Sequence, residues 1–356
     1  MTSMIIDKRE IKSIKDLDQL KDVWATLENG DDMTIFQNFT WHRLLAKEWH
    51  GWKLHPFYSK VVIYIAYQNG KPLMIFPAII YTIDTKTRWF GSKKGVYLMG
   101  QGSYSDYMNV IYNDFSSEAF EAIITQIRSD FPKKNIFLTS VRPDTALSAY
   151  LKETGAKCED GELALHIDRK ASLEDYQNVV SKKTRSNLKK ALNRMERDNI
   201  KYTIETVGMI TDPKLIDELV KIHVGRITIK NTNHSDFLHT AGTIVRTAYR
   251  RHRDLNNNIV AMSMQENPAS NLILIRFNDK IVGYQYGMKD RSSMRLLQTC
   301  FDEQYSFYSP GFRGTYDYIL STYENDEIQQ VDFLRGSETF KYRLGCVDLQ
   351  LLNFTL

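Results

Sequence analysis

The period of the apolar residues switches along this chain in an order that occurs twice, and this repetition restricts the fold more than any single motif. Segments 17–27 and 40–49 carry apolar residues at three-to-four spacing, which predicts two amphipathic helices. Runs at 61–67, 72–83 and 107–111 read as strands. The first two are joined by Gln68-Asn69-Gly70-Lys71, whose Asn-Gly pair is a strong hairpin signal. A helix over 116–129, a strand at 135–140, a helix over 145–152 and a strand near 163–167 follow. The second half runs through the same order. Asp212 and Pro213 supply an N-cap and first-turn proline for a helix to about 227, and 237–253 forms another. Strands are expected at 259–264, 271–277, 281–288 and 294–301, then a helix over 312–323 and strands at 328–334 and 348–354.

Helix–helix–meander–helix–strand, met twice, predicts an α/β (α+β) chain of two similar modules with mostly antiparallel central sheets flanked by helices. A length of 356 residues suits two domains. The expected modules are 1–170 and 171–356, with a linker at 168–176 where the apolar pattern stops and a last strand placed to pack back on the first module.

Composition removes several classes. Hydrophobic residues at 42% and charged residues at 25% are those of a globular protein, and 8 Pro with 18 Gly exclude collagen-like or low-complexity chains. No apolar run approaches the roughly 18–20 residues that span a bilayer. The opening segment turns polar at once, so a cytoplasmic location is expected. Cys158, Cys300 and Cys346 are odd in number and far apart, which argues against a disulfide framework or a thiolate zinc site. With 47 basic against 43 acidic residues, any functional basic character must be local. The chain has no phosphate-cradling G-x-x-x-x-G-K-S/T loop, no H-E-x-x-H and no G-x-S-x-G elbow, and its histidines do not cluster at metal-ligand spacing. No metal is expected, and no DNA partner.

Three constellations remain. Segment 181–197 carries Lys182, Lys183, Arg185, Lys189, Lys190, Arg194 and Arg197 against Glu196, with Leu188, Leu192 and Met195 as a narrow apolar seam. This is an amphipathic helix with a cationic face, suited to a phosphorylated substrate, a coenzyme or tRNA; a solvated face is the competing reading. Second, Tyr305 to Gly314 follows a strand and opens a helix. The unpaired N–H groups of a helix start suit a pyrophosphate. Gly311 and Gly314 would let phosphate oxygens approach, Arg313 adds a donor and Pro310 pre-sets the turn. Third, a strand ends at Asp332, followed by Arg335-Gly336 and the Phe340-Lys341 pair, an acid and a cation within reach of proton transfer or of a charged acceptor.

Phe36-Gln37-Asn38-Phe39-Thr40-Trp41, the cationic segment, Tyr308-Ser309-Pro310-Gly311 and Asp332-Phe333-Leu334-Arg335-Gly336 followed by Phe340-Lys341 together resemble a known family. They are similar to the tandem-module acyltransferases of the GNAT superfamily, in particular to the group named after a cellulose-biosynthesis acetyltransferase, and more distantly to the Fem peptidyltransferases. The resemblance implies two GNAT-like modules, with the acyl donor bound by the second and the acceptor in the cleft between them. It gives Tyr308, Ser309, Gly311, Phe312, Arg313 and Gly314 the place of the pyrophosphate loop. The superfamily has there Gln or Arg, two residues, Gly, one residue, then Gly or Ala, and this chain departs from that pattern. Phe340-Lys341 matches the Phe-Lys pair of the Fem branch, and Tyr104-Ser105-Asp106-Tyr107 falls where those relatives carry an acidic residue facing the acceptor.

The expected chemistry is N-acyl transfer from acyl-CoA, with acetyl-CoA as the donor, to an amine of an amino sugar, sugar nucleotide or similar small polar acceptor. The transfer is direct, with no covalent enzyme intermediate and no cysteine in it. Asp332 or Asp106 serves as base or amine anchor, Tyr308 as acid or donor contact, and Lys341 stabilises negative charge. Tyr104, Tyr107, Arg185, Lys189, Arg335 and Phe340 bind substrate. Two rivals stand beside this reading: an aminoacyl-tRNA-dependent Fem-like transferase, and a non-catalytic binding module of a polysaccharide pathway.

Overall fold

The computed structural model describes residues 4–51, 59–82, 94–101, 105–232, 259–324 and 326–356. The expected helix at 237–253 lies outside them. The chain forms two compact units, one of Met1–Leu163 with Gln350–Leu356, the other of Ala164–Leu349.

The first unit contains β1 (Met4–Glu10), α1 (Ile14–Asp18), α2 (Lys21–Ala25), α3 (Phe39–Gly51), β2 (Ser59–Gln68), β3 (Lys71–Tyr81), β4 (Gly95–Leu98), α4 (Ser117–Asp130), β5 (Ile136–Val141), α5 (Ala146–Glu153) and the first part of β6 (Lys157–Asp168). Its strands lie in the order β1-β2-β3-β4-β5-β12-β6, where β12 is Val347–Thr355. The pairs β1–β2, β2–β3, β3–β4 and β5–β12 are antiparallel, and β4 and β5 run parallel across the α4 crossover. Asn69 and Gly70 both take left-handed φ, 53° and 76°, as a two-residue hairpin turn requires. The expected helix at 17–27 is two short helices.

Three differences from the expected elements have physical causes. β1 reads as polar because it is an edge strand, paired with β2 alone and mostly outside the core, so no apolar alternation marks it. Segment 107–111 is not a strand: Tyr107 sits at φ 54° and Ile111 makes a single bridge to Ile75. Segment 259–264, expected as a strand, belongs to helix α9; all six residues are buried, so their apolar run carries no period to read.

The second unit holds α6 (Leu173–Val179), α7 (Lys182–Arg197), β7 (Tyr202–Val207), α8 (Pro213–Thr232), α9 (Ile259–Glu266), β8 (Ser270–Phe277), β9 (Lys280–Asp290), β10 (Ser293–Phe301), α10 (Pro310–Ser321), β11 (Gln330–Arg335) and α11 (Thr339–Arg343). Its sheet runs β7-β8-β9-β10-β11 and then the second part of β6. The segment expected as a linker, 168–176, holds the end of β6 and Ser172, which caps α6. Strands β10 and β11 run parallel across α10, as β4 and β5 do across α4.

One detail exposes the shared plan of the two units. Ser140 and Leu334, each the fifth residue of a six-residue strand, take φ of 56° and 57° at strand irregularities. In each, a side-chain oxygen accepts the bulged N–H: Asn353 Oδ1 for Ser140 at 3.0 Å and Asp332 Oδ1 for Leu334 at 2.8 Å.

Candidate active site

The site is built where β10 and β11 part. They pair through Ser293–Gln330, Met294–Val331 and Arg295–Asp332 only, although β10 continues to Phe301 and β11 to Arg335. Both strands are displaced just past that point. β10 slips register against β9 between Leu296 and Gln298, and β11 slips against β6 between Asp332 and Arg335. A cavity of about 550 Å³ fills the opening, lined by Thr299, Cys300 and Phe301 of β10, Gly311 and Thr315 of α10, and Phe340 of α11, among others.

The edge of β10 is open to this cavity. Asp302 N–H donates to the Val282 carbonyl at 2.8 Å, which fixes the alternation and turns the main chain of Thr299 and Phe301 away from β9. Arg226 of α8 donates to the Thr299 carbonyl at 3.1 Å and lies 4.1 Å over the Phe301 ring. Above it, α10 begins at Pro310 after Ser309 in the left-handed region, so the Gly311 and Phe312 N–H groups belong to the first turn and have no intrahelical acceptor.

The pyrophosphate-loop residues divide. A Cβ on Gly314 would stand 2.5 Å from Ile275 Cδ1, and one on Gly311 would stand 3.0 Å from Phe301 Cδ1. Both glycines therefore set how closely α10 packs on the sheet. Gly314 is buried against β8 and Gly311 also lines the cavity. Arg313 is engaged on the helix flank with Asp317, which also accepts from the Tyr202 hydroxyl at 2.6 Å. Phe312 does line the cavity, and Arg343 of α11, which the sequence reading did not single out, lies 4.7 Å over its ring. Tyr308 is not at the cavity. Its hydroxyl donates to Asp198 at 2.7 Å, and its ring meets Phe277 edge-on in the cluster that holds α7 to the sheet.

Asp332 sits at the apex where the strands part, 1% exposed. Its Oδ2 accepts from Arg295 Nη1 at 2.5 Å, its Oδ1 from the Leu334 N–H, and Arg295 also binds Asp290 at 2.6 Å. Both oxygens of this carboxylate are thus engaged within the protein. Lys341 lines the cavity but aims its ammonium at the turn, donating to the carbonyls of Phe333, Arg335 and Gly336 at 2.9–3.1 Å and pairing with Glu338 at 2.9 Å. It ties the end of β11 to α11. Glu338 is the one carboxylate among the described residues that lines the cavity, and its side chain is 59% exposed. Gly336 takes a φ of 109°, a conformation that favours glycine. Arg335 and Phe340 also line the cavity.

Sequence reasoning missed a pair built from distant segments. His223 of α8 and Cys300 of β10 both line the cavity, with Nδ1 3.0 Å from Sγ. Burial pushes the Cys300 thiol up, opposed by the nearby Arg226 charge.

In the first unit the corresponding opening is filled by the chain itself. β4 and β5 pair at Val96–Ile136 and Tyr97–Phe137; beyond them Met108 N–H donates to the Ser140 carbonyl at 3.0 Å, and Ile111 bridges to Ile75 of β3. Asp106 and Tyr107 lie in this inserted segment, 5% and 3% exposed. The Phe36–Trp41 motif braces it: Gln37 Nε2 donates to the Tyr107 carbonyl at 3.0 Å and Trp41 Nε1 to Ser105 Oγ at 2.7 Å. Tyr104 lies outside the described residues. Arg185 and Lys189 stand on the exposed face of α7 and do not line the cavity.

Parallel strands that part beneath a helix start, with an open strand edge between them, make up the site of the second unit. Residues 182–342, from α7 to α11, match the family model described as an acetyltransferase (GNAT) domain. Among solved structures the chain is similar to a conserved protein of unknown function from Bacteroides thetaiotaomicron VPI-5482, with TM-score 0.54, 11% identity and 99% of each chain covered. It is also similar to L-PGS from Bacillus licheniformis, with TM-score 0.53, 10% identity, and 95% of this chain and 91% of that one covered. At such identities the likeness is one of fold. No curated protein matches the chain. Among the described residues no helix is long and apolar enough to cross a membrane.

Proposed function

We propose that the second unit binds acyl-CoA, with acetyl as the acyl group, along the open edge of β10 and transfers that group to an amine of an amino sugar, sugar nucleotide or related polar metabolite in surface-polysaccharide or cell-wall synthesis. The observation that carries this reading is the outward-facing main chain of Thr299 and Phe301 inside the 550 Å³ cavity, beneath the first turn of α10. An extended donor with amide groups adds to such an edge as a strand would. Its diphosphate then meets the Gly311 and Phe312 N–H groups, with Arg343 as the nearby cation.

The attack needs the amine to lose its proton and the carbonyl to be polarised by backbone donors. Glu338 is the carboxylate placed to anchor and deprotonate the amine, while Asp332 and Lys341 act as positioning residues that hold the cavity walls. Titration calorimetry with acetyl-CoA tests the donor. Binding that weakens only gently with salt is expected; no heat and no thermal shift with acetyl-CoA or longer acyl-CoAs would end the reading.

The aminoacyl-tRNA alternative draws on one feature, the exposed face of α7. Lys182, Lys183, Arg185, Lys189 and Lys190 stand there without an acidic partner among the described residues. That reading requires a steep fall of affinity for tRNA with salt, of the kind phosphate contacts produce.

A further inference from the structure

We infer that Cys300 is a second acyl acceptor within the donor cavity, and that His223 serves it as base, so that bound acyl-CoA loads the protein itself when no amine is present. This rests on the acyl-CoA reading of the same cavity. Three facts about the place carry it. Cys300 Sγ and His223 Nδ1 are 3.0 Å apart, hydrogen-bond distance for a sulfur–nitrogen pair. Both residues line the cavity that the thioester must enter. They come from different elements, α8 and β10, so neither adjacency in sequence nor one helix face accounts for their meeting.

The step balances without a further reagent. The Cys300 S–H proton passes to His223 Nδ1 as sulfur attacks the thioester carbonyl; the carbon–sulfur bond to coenzyme A breaks, and the imidazolium returns the proton to the departing thiolate. One thioester is formed and one broken, so the exchange is close to thermoneutral. Burial pushes the thiol up, so the sulfur keeps its proton until the base takes it. A sulfur of this kind is inert toward solvent reagents and reactive toward a ligand held beside it.

The chain carries its own control. Cys158 is exposed, Cys346 is buried outside the cavity lining, and Cys300 is buried within it. Unassisted acylation by a thioester in solution favours the exposed thiol, whereas acylation from the cavity favours the buried one.

The test is incubation of the full-length protein with acetyl-CoA and no amine, followed by intact-mass measurement, peptide mapping and hydroxylamine treatment, with calorimetry of acetyl-CoA binding alongside. One acetyl group per chain on Cys300, released by neutral hydroxylamine and absent from Cys158, is the expected result. His223→Gln should slow its appearance by about 100-fold, the scale of a lost general base, without abolishing acetyl-CoA binding. Acetyl-CoA that binds and leaves Cys300 unmodified overturns this inference and leaves the donor reading standing. Acetylation confined to Cys158 overturns it as well. Absence of any acetyl-CoA binding removes both.

Discussion

Asp332→Asn separates a structural carboxylate from a catalytic one. The substitution keeps the shape and an oxygen for the Leu334 N–H but removes the charge that faces Arg295 at 2.5 Å, where both side chains are nearly buried. Breaking a buried pair costs about 3–5 kcal/mol when the partner is stranded. Here Arg295 keeps Asp290 at 2.6 Å, so the cost falls just below that range, at about 2–3 kcal/mol. For a domain of this size each kcal/mol lowers the midpoint by about 2–4 °C, which gives a fall of roughly 5–10 °C. Differential scanning calorimetry reads that directly. Turnover measured well below the transition, as coenzyme A release with a panel of amino sugars, should stay within about tenfold of the parent, because a lost general base costs about 10²–10⁴. An unchanged midpoint with turnover reduced by about 10² would refute the reasoning and make Asp332 the base.

Four further outcomes follow from the same geometry. Lys341→Met leaves three turn carbonyls without their donor and should cost about 3 kcal/mol with loss of acetyl-CoA binding; Lys341→Arg should not restore it, since a planar fork cannot converge on three carbonyls as an ammonium does. Arg343→Ala should weaken acetyl-CoA binding about tenfold, the scale of one charge-assisted contact, and weaken N-acetylcysteamine thioesters, which lack phosphates, far less. Calorimetry should find one acetyl-CoA per chain, because segment 108–111 occupies the opening of the first unit; two would contradict that account. His42 is pushed down to about 4 by burial, so the unfolded chain binds the extra proton between its ordinary 6.5 and 4. Stability should then be intact above the ordinary value and fall as pH drops through that window, by about 3 kcal/mol in all. Denaturant melts of the parent and His42→Gln at several pH values check the slope, which the variant should lack.

The order of elements was legible because helices such as α4 and α7, and the strands of the β2–β3 hairpin, bury one face or sit beside strong turn residues. Edge strands β1 and β7 were not: each pairs on one side only, β1 lacks an apolar alternation, and that of β7 is confined to Tyr202 and Ile204. The end of β11 was recognisable as special from an acid, a glycine turn and an aromatic–Lys pair. The orientations were not legible, however, because sequence shows which residues are near in number and not which way an ammonium points. Lys341 turns back on its own turn, and Tyr308 reaches Asp198. The His223–Cys300 pair, 77 positions apart, leaves no mark in sequence.

The placement of Gln350–Leu356 in the first unit has a consequence for synthesis on the ribosome. Strand β5 waits for β12, its antiparallel partner, until all of Ala164–Leu349 has been translated. At common elongation rates that is about 10–40 s during which the nascent chain carries an uncapped sheet margin. A bare strand margin recruits other strands. The half of the protein made first is thus completed last, and chaperone demand during translation should be set by that interval.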